Sequence, residues 1–300
     1  MAANEFRAWG RVGAMDEAFV RDLLRDQHPD LAGLPLRPVP GGWGNQMWRL
    51  GDDLAVRMPR QEGASELLRM EHRWLPQLAP TLPLPVSVPV RVGEPSERFP
   101  KTWTINAWVH GEPADRADLS ADAAEGLAEF LLALHQPAPA DAPIDVDRVA
   151  LTPHPKVPAE LRADYQRALD APTWAGPPVW RHADLHPANV VARDGVLSGV
   201  IDWGSLSGGD PAIDLASAWV LLPDTDRFFD AYRPDEATVL RAKGWAIGRA
   251  LFLVDIGELW EQGRPGGQPG WGARGQEVLQ RLMKPTTWTA GARPSGAGRR

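Results

Sequence analysis

The sequence predicts an α+β fold with two lobes, a small β-rich N-terminal lobe followed by a larger helical C-terminal lobe. Up to residue 109, short apolar and β-branched segments are separated by glycine turns, with only two amphipathic helical stretches among them. After that point the apolar residues recur at helical spacing. The change falls at Gly111-Glu112-Pro113, whose turn-forming residues mark the boundary between the lobes.

Local patterns define the elements of each lobe. Residues 1–33 are expected to form a helical extension, because 16–27 carries its apolar residues on one side. The N-terminal lobe, 34–109, has expected strands at 34–40, 46–50, 54–58, 86–92 and 102–109 and a helix at 62–78. The C-terminal lobe, 110–284, has expected helices at 121–135, 159–169, 211–222 and 235–262. Residues 285–300, rich in Gly, Pro, Ser and Arg, are expected to be a disordered tail.

The composition excludes several classes of protein. The 300 residues include no cysteine, which excludes disulfides, thiolate metal sites and cysteine nucleophiles. The longest apolar runs are shorter than the roughly 18 residues that a membrane-spanning helix needs, and the first residues lack a secretory signal. These features predict a cytoplasmic protein with no membrane partner.

The charge is distributed unevenly along the chain. Residues 110–270 contain 25 acidic and 13 basic side chains, whereas residues 1–109 contain 13 of each. An acidic C-terminal lobe argues against a nucleic-acid partner, since phosphate binding needs a basic surface. The same field suits a cationic small molecule, and a solubilising surface explains the charge equally well.

The segment that carries chemistry is 180–215. Two apolar β-rich runs flank Asp194-Gly195, which predicts a hairpin with a polar loop before it and an acidic residue after it. Asp184, Asn189 and Asp202 come from the two ends of this hairpin and are expected to converge. Two carboxylates and an amide suit Mg²⁺, with one group left to orient a hydroxyl, which are the parts that phosphoryl transfer needs.

Three motifs in this segment resemble the signature of the aminoglycoside phosphotransferase family, which are antibiotic and small-molecule kinases with a protein-kinase-like fold. The motifs are His182-x-Asp184-x-x-x-x-Asn189, Ile201-Asp202-Trp203-Gly204 and Gly209-Asp210-Pro211-Ala212-Ile213-Asp214. The resemblance extends over about residues 34–260. It implies that Asp184 is the catalytic base and that Asn189 and Asp202 are metal ligands. It also implies that Asp214 steadies the catalytic loop, with His182 and Asp210 as structural neighbours of the site.

Each of these motifs has an alternative interpretation. His182-x-Asp184-x-His186 would also fit a transition-metal cluster, although no further His or Glu pattern supplies a third ligand. Asp210 before Pro211 is explained as a helix N-cap, and Asp214 one turn later would complement the helix dipole. His182 is interpreted as a buried histidine that orients the loop, not as a catalytic group.

The N-terminal lobe carries a second set of candidate residues. Strand alternation places Ala55 and Arg57 on one face, the layout of the kinase strand that covers the adenine and contacts the phosphates. Glu71 lies on the apolar stripe of the next helix and needs a cation, for which Arg57 is the natural partner. The family usually has Lys at this position, so Arg57 is a departure. An ordinary structural salt bridge is the alternative.

Backbone groups complete the expected nucleotide site. Gly42 and Gly44 lie in the turn where family members place a loop over the phosphates. Ala107 and Val109, before the boundary between the lobes, would hold the purine. Ala183 replaces the glycine that often follows the motif histidine, which is tolerable unless the backbone needs a positive φ.

The sequence therefore predicts a kinase that uses Mg²⁺ to move a phosphoryl group from ATP or GTP to a small-molecule hydroxyl. An aminoglycoside-like or other cationic antibiotic is the favoured acceptor. A sugar kinase, an amino-alcohol metabolic kinase and a non-catalytic nucleotide-binding scaffold are the alternatives, and either a monomer or a homodimer is compatible. The acids available to a cationic acceptor are Asp145, Asp147, Glu160, Asp164, Asp255, Glu258 and Glu261.

Overall fold

A computed structural model describes residues 15–40, 44–60, 63–144 and 151–284. The chain divides into two compact units, the first being Met1–His110 with Gly199–Leu206 and the second Gly111–Ser198 with Ser207–Arg300. Gly42, Asp145, Asp147 and the expected tail 285–300 lie outside the described residues.

The first unit is built on one antiparallel sheet. Its elements are α1 (Glu17–Gln27), β1 (Leu36–Val39), β2 (Asn45–Leu50), β3 (Leu54–Pro59), α2 (Ala64–Leu78), β4 (Pro89–Gly93) and β5 (Trp103–Ala107). The five strands are ordered β1-β2-β3-β5-β4, so β3 lies at the centre of the sheet. This central strand carries two of the candidate residues.

The helix α1 is part of the core of this unit. It begins where the Asp16 carboxylate accepts a hydrogen bond from the Phe19 N–H at 2.9 Å. Its Leu23 is fully buried in the cluster that also contains Val56 and Met58 of β3. Burying one such leucine contributes about 2 kcal/mol, so the helical extension helps to stabilise the sheet.

The second unit is mainly helical. Its elements are β6 (Glu112–Pro113), α3 (Ala123–Leu134), α4 (Arg162–Asp170), β7 (Val179–Arg181), β8 (Val190–Arg193), β9 (Val196–Val200), β10 (Ser207–Gly209), α5 (Ala212–Leu215), α6 (Ser217–Leu221), α7 (Asp226–Tyr232), α8 (Glu236–Glu261) and α9 (Trp271–Leu282). The long helix α8 packs against α4, α5, α6 and α9. The predicted α+β architecture, with a β-rich N-terminal part and a helical C-terminal part, is confirmed.

The predicted hairpin is present between β8 and β9. Asp194 and Gly195 have φ values of 52° and 78°, and two successive residues with positive φ are typical of a type I′ turn. The helix expected over 211–222 is instead the short pair α5 and α6. The sequence pattern did not predict α9. This helix packs closely on α8, since a Cβ at Gly257 would lie only 2.3 Å from Cα of Gly272 and only glycine fits there. None of the helices within the described ranges is long and apolar enough to cross a membrane.

Candidate active site

Arg57 is the centre of a buried charge cluster in the first unit. Its Nη1 donates to both carboxylate oxygens of Glu71, at 2.7 and 2.6 Å, and its Nη2 donates to Oδ1 of Asp202 at 3.1 Å. Arg57 is 5% exposed and Glu71 is 1% exposed. The ion pair expected from strand alternation and the helix stripe is therefore present.

The strand β5 supplies a third partner, which the sequence analysis missed. Asn106 lies opposite Ala55 in the sheet and donates from Nδ2 to Oε1 of Glu71 at 3.0 Å and to the Ser87 carbonyl at 2.8 Å. Burial alone would lower the pKa of Arg57, but the carboxylates of Glu71 and Asp202 raise it above its usual value. The guanidinium is therefore charged at any working pH.

Asp202 has an open side chain and an unusual backbone. Its φ is 61°, in the left-handed region that Asp adopts more readily than most residues. Its side chain is 55% exposed although Arg57 binds one of its oxygens. A carboxylate that is anchored on one side and open on the other is a suitable cation ligand.

The residues expected to hold a purine differ in whether their backbone N–H groups already donate hydrogen bonds within the protein. The N–H of Ala107 donates to the Val88 carbonyl at 2.8 Å, and the N–H of Trp108 donates to the Asp53 carbonyl at 2.8 Å. Within the described part of the chain, the N–H of Val109 has no backbone partner. Ala55 is buried, and Gly44 is not crowded, since a Cβ there would meet nothing within 4 Å.

In the second unit, the polar loop between β7 and β8 is fixed by Asp214 of α5. The two carboxylate oxygens of Asp214 accept hydrogen bonds from the N–H groups of His182 and Ala183, both at 2.7 Å. Ala183 has a φ of 64°, a left-handed conformation that costs a residue with a Cβ about 1 kcal/mol or more. Asp214 thus does more than complement a helix dipole, because it holds the loop in a strained conformation.

Two further side chains, which the sequence analysis missed, support Asp214. Nε2 of His135 lies 3.3 Å from Oδ2 of Asp214, and Nδ1 of His135 lies 2.6 Å from the Tyr232 hydroxyl. Burial alone would raise the pKa of Asp214, but the His135 hydrogen bond, nearby histidine charge and the His182 N–H lower it. Burial raises the pKa of the Tyr232 hydroxyl, which lies within hydrogen-bond distance of His135. The Asp214 carboxylate is thereby held in its ionised form.

Asp184 follows the strained residue and is held by side chains on both sides. Nη1 of Arg249, on α8, donates to Oδ1 of Asp184 at 2.7 Å. Nδ2 of Asn189 donates to the Asp184 carbonyl at 3.0 Å and lies 3.4 Å from its Oδ2. Nε2 of His186 lies 3.8 Å from the same oxygen.

The loop and Asp202 offer oxygen donors of the kind that Mg²⁺ accepts. The described part of the chain contains no group of three or more His, Asp or Glu side chains arranged to hold a metal, so the His182-Asp184-His186 cluster is not supported. Asn189 uses its Nδ2 within the loop, which leaves its Oδ1 as an oxygen donor. The amide oxygen in the second unit and the open carboxylate of Asp202 in the first unit are each a type of hard ligand that Mg²⁺ takes.

Asp210 has a structural position. Its Oδ1 accepts a hydrogen bond from the Ala212 N–H at 3.0 Å, and its Oδ2 accepts one from Nε of Arg241 at 2.6 Å. The carboxylate therefore caps the start of α5 and ties it to α8.

The fold of this chain resembles those of solved antibiotic phosphotransferases. Over 89% of this chain and 98% of that chain, the fold matches the GDP complex of aminoglycoside 2'-phosphotransferase-IIIa, at 17% identity and a TM-score of 0.61. It also matches macrolide 2'-phosphotransferase MphH from Brachybacterium faecium, over 90% and 99% of the two chains, at 20% identity and a TM-score of 0.56. No curated protein matches the chain by sequence.

The family follows from the sequence itself. Residues 35–251 match the family model described as the phosphotransferase enzyme family, known as APH. The chain belongs to this family and is a small-molecule kinase.

Proposed function

We propose that this protein transfers the γ-phosphoryl group of ATP or GTP to a hydroxyl of a cationic small molecule, with Asp184 as the base. The observation that carries the proposal is the fixed position of the Asp184 carboxylate, on a loop that Asp214 holds by two backbone hydrogen bonds. A carboxylate held in this way accepts the proton of the acceptor hydroxyl as the phosphoryl group arrives.

The other candidate residues bind and orient the nucleotide. Asn189 and Asp202 would hold Mg²⁺, which when bound neutralises charge on the phosphates. Arg57, fixed by Glu71, contributes a buried cation beside Asp202. The nucleotide-binding residues proposed from the sequence are Gly42, Gly44, Ala55, Ala107 and Val109.

The acidic C-terminal segment supports a cationic acceptor such as an aminoglycoside. Residues 110–270 contain 25 acidic and 13 basic side chains. Part of this charge is neutralised locally, since Lys156 pairs with Asp255 and Glu258 while Lys243 pairs with Asp164. Glu160 and Glu261 are exposed, and the net field favours a cation. Among the solved structures with this fold is the GDP and kanamycin complex of APH(2")-IIia, at 18% identity over 88% of this chain and 97% of that chain with a TM-score of 0.62.

The base is tested with Asp184→Asn. The amide is nearly isosteric but cannot take a proton, so kcat should fall by about a hundredfold or more while nucleotide binding persists. Nucleotide consumption is measured against a panel of aminoglycosides, macrolides, sugars and amino alcohols, and nucleotide affinity is measured directly. Asp230→Asn, at an exposed carboxylate of α7, is the matched control. A variant that keeps more than about a tenth of wild-type kcat would show that Asp184 is not the base.

The charge of the acceptor is tested separately with Glu261→Lys. If the acceptor is a cation, its KM should rise about threefold or more while the nucleotide KM stays constant, because the reversed charge repels it. Added salt should lower kcat/KM for the same acceptor. Glu129→Lys, an exposed reversal on α3, is the control. Efficient turnover of a neutral sugar with no salt dependence would instead favour a sugar kinase.

A further inference from the structure

Arg249 stands out in the second unit because it is the one charged residue in the apolar run 245–254 of α8. Its side chain is 16% exposed, and its guanidinium is directed at the catalytic loop. Nη1 donates to Oδ1 of Asp184 at 2.7 Å, and Nη2 donates to the Ala183 carbonyl at 3.3 Å. One rigid group therefore binds a side chain and the backbone of consecutive residues.

This double contact restrains the rotation of the Asp184 carboxylate. A guanidinium is planar, so its two nitrogens keep a fixed separation and fix the relative position of the two acceptors that they bind. The carboxylate oxygen is thereby held in a fixed position relative to the backbone of Ala183. Ala183 has a left-handed backbone, with φ of 64°. Asp214 holds this residue through its N–H, and Arg249 holds it through its carbonyl.

We infer that Arg249 is a positioning residue for phosphoryl transfer, which orients the Asp184 carboxylate toward the acceptor hydroxyl. The inference rests on the proposed function, since it takes Asp184 as the base. The rate depends on this orientation, because a small misplacement of a catalytic group costs a large part of the rate. The sequence motif of the loop contains no such residue, and Arg249 lies 65 positions away in the chain.

The same helix offers a closely matched control. Lys243 is also on α8, its side chain is also 16% exposed, and it also forms an ion pair with an aspartate. Its partner is Asp164, which lies outside the catalytic loop. Lys243→Met and Arg249→Met therefore both remove one half-buried ion pair from α8, and only the second releases Asp184.

The expected result is a lower kcat with little change in the nucleotide KM. Arg249→Met should lower kcat about a hundredfold, equivalent to about 2.7 kcal/mol, with the nucleotide KM within about twofold of wild type. Arg249→Lys, which keeps the charge and loses the planar fork, should be intermediate. Guanidine added at millimolar concentration should restore part of the activity of a small-residue variant, Arg249→Ala. Lys243→Met should leave kcat at saturating acceptor unchanged, because Asp164 is a candidate only for acceptor binding, which would change the acceptor KM.

The double variant with Ala183→Gly and Arg249→Met distinguishes an effect of Arg249 on the Asp184 carboxylate from an effect on the backbone of Ala183. If Arg249 acts on the Asp184 side chain, relieving the strain at Ala183 leaves kcat low. Full recovery of kcat in the double variant would overturn the inference, since Arg249 would then act only through the backbone.

The outcomes also distinguish this inference from the proposed function. If Asp184→Asn abolishes turnover while Arg249→Met and Arg249→Lys keep kcat within about threefold, Arg249 has no positioning role and the base assignment stands. If Asp184→Asn itself retains turnover, the proposed function fails first. Should Arg249→Met not fold, Arg249→Lys at full wild-type kcat with no guanidine rescue of Arg249→Ala would still reject the inference.

Discussion

The charge cluster of the first unit and the loop between β7 and β8 of the second unit hold their carboxylates by different means. In the first unit, Arg57 and Glu71 lie on a strand and a helix whose periodicity points both side chains inward. In the second unit, the loop from His182 to Asn189 has no periodicity, and residues far away in the chain fix it. Regular elements thus position charges by local pattern, whereas the loop depends on long-range partners.

The two regions also differ in what an ion pair contributes. Glu71 is almost fully buried, so its desolvation offsets much of the attraction to Arg57, and the pair gives little net stability. Removing one partner is a different matter, because it leaves the other charge buried and unpaired. Asp214 bonds mainly to backbone N–H groups, so it stabilises a conformation of the loop.

The largest effect is expected from Arg57→Met. It leaves the Glu71 carboxylate buried without a cation, which should cost about 3–5 kcal/mol in the free energy of unfolding. Urea unfolding measures this loss, and the nucleotide KM should rise because α2 loses its anchor on the sheet. Arg57→Met combined with Glu71→Leu should recover most of the stability. Arg91→Met, at an exposed arginine of β4, is the control, and an equal loss in both single variants would mean that burial of the pair is irrelevant.

A smaller effect, confined to activity, is expected from Asp202→Ala. If its exposed carboxylate binds Mg²⁺ as proposed, kcat/KM should fall about a hundredfold and the Mg²⁺ requirement should rise. Asn189→Ala should be milder, because an amide contributes no net charge. A Mg²⁺ titration of the nucleotide-dependent activity is the measurement. An unchanged titration curve in Asp202→Ala would contradict the proposed role of this residue as a metal ligand.

Next in size is Asp214→Asn, whose effect should depend on pH. The folded protein lowers the pKa of Asp214 below its ordinary value of 3.8, so the ionised form stabilises the fold above about pH 4. That contribution is lost as the pH falls through the lowered pKa. The variant should be less stable by about 2 kcal/mol at pH 7, and the difference should shrink near pH 3.

Urea unfolding at the two pH values measures this difference. Asp230→Asn, at an exposed carboxylate in the same unit, is the control. A stability difference that is the same at both pH values would mean that the charge of Asp214 is not what holds the loop.

The contrast between the units explains how much the sequence could predict. The Arg57–Glu71 pair, the α+β architecture and the Asp194-Gly195 turn follow from periodicity and turn chemistry. Arg249 and His135 were missed because their partners are 65 and 79 positions away in the chain, beyond any local pattern. The available signal for Arg249 was a single cation inside an apolar helical run, which required a buried partner. At Ala183 the sequence allowed a Cβ unless the backbone needs a positive φ, and the φ is 64°.

The smallest effect is expected from Ala183→Gly, and the sign of the change in the free energy of unfolding is the test. Glycine adopts a φ of 64° without steric cost, so the substitution should stabilise the protein by roughly 0.5–1 kcal/mol despite the greater freedom of the unfolded chain. The matched control is Ala216→Gly, at a buried alanine with a helical φ of −55°, which should destabilise by about 1 kcal/mol. Urea unfolding of both variants gives opposite signs if the loop is strained. Destabilisation of equal size at both positions would show that Ala183 bears no strain, and that Asp214 and Arg249 fix a conformation that the loop already prefers.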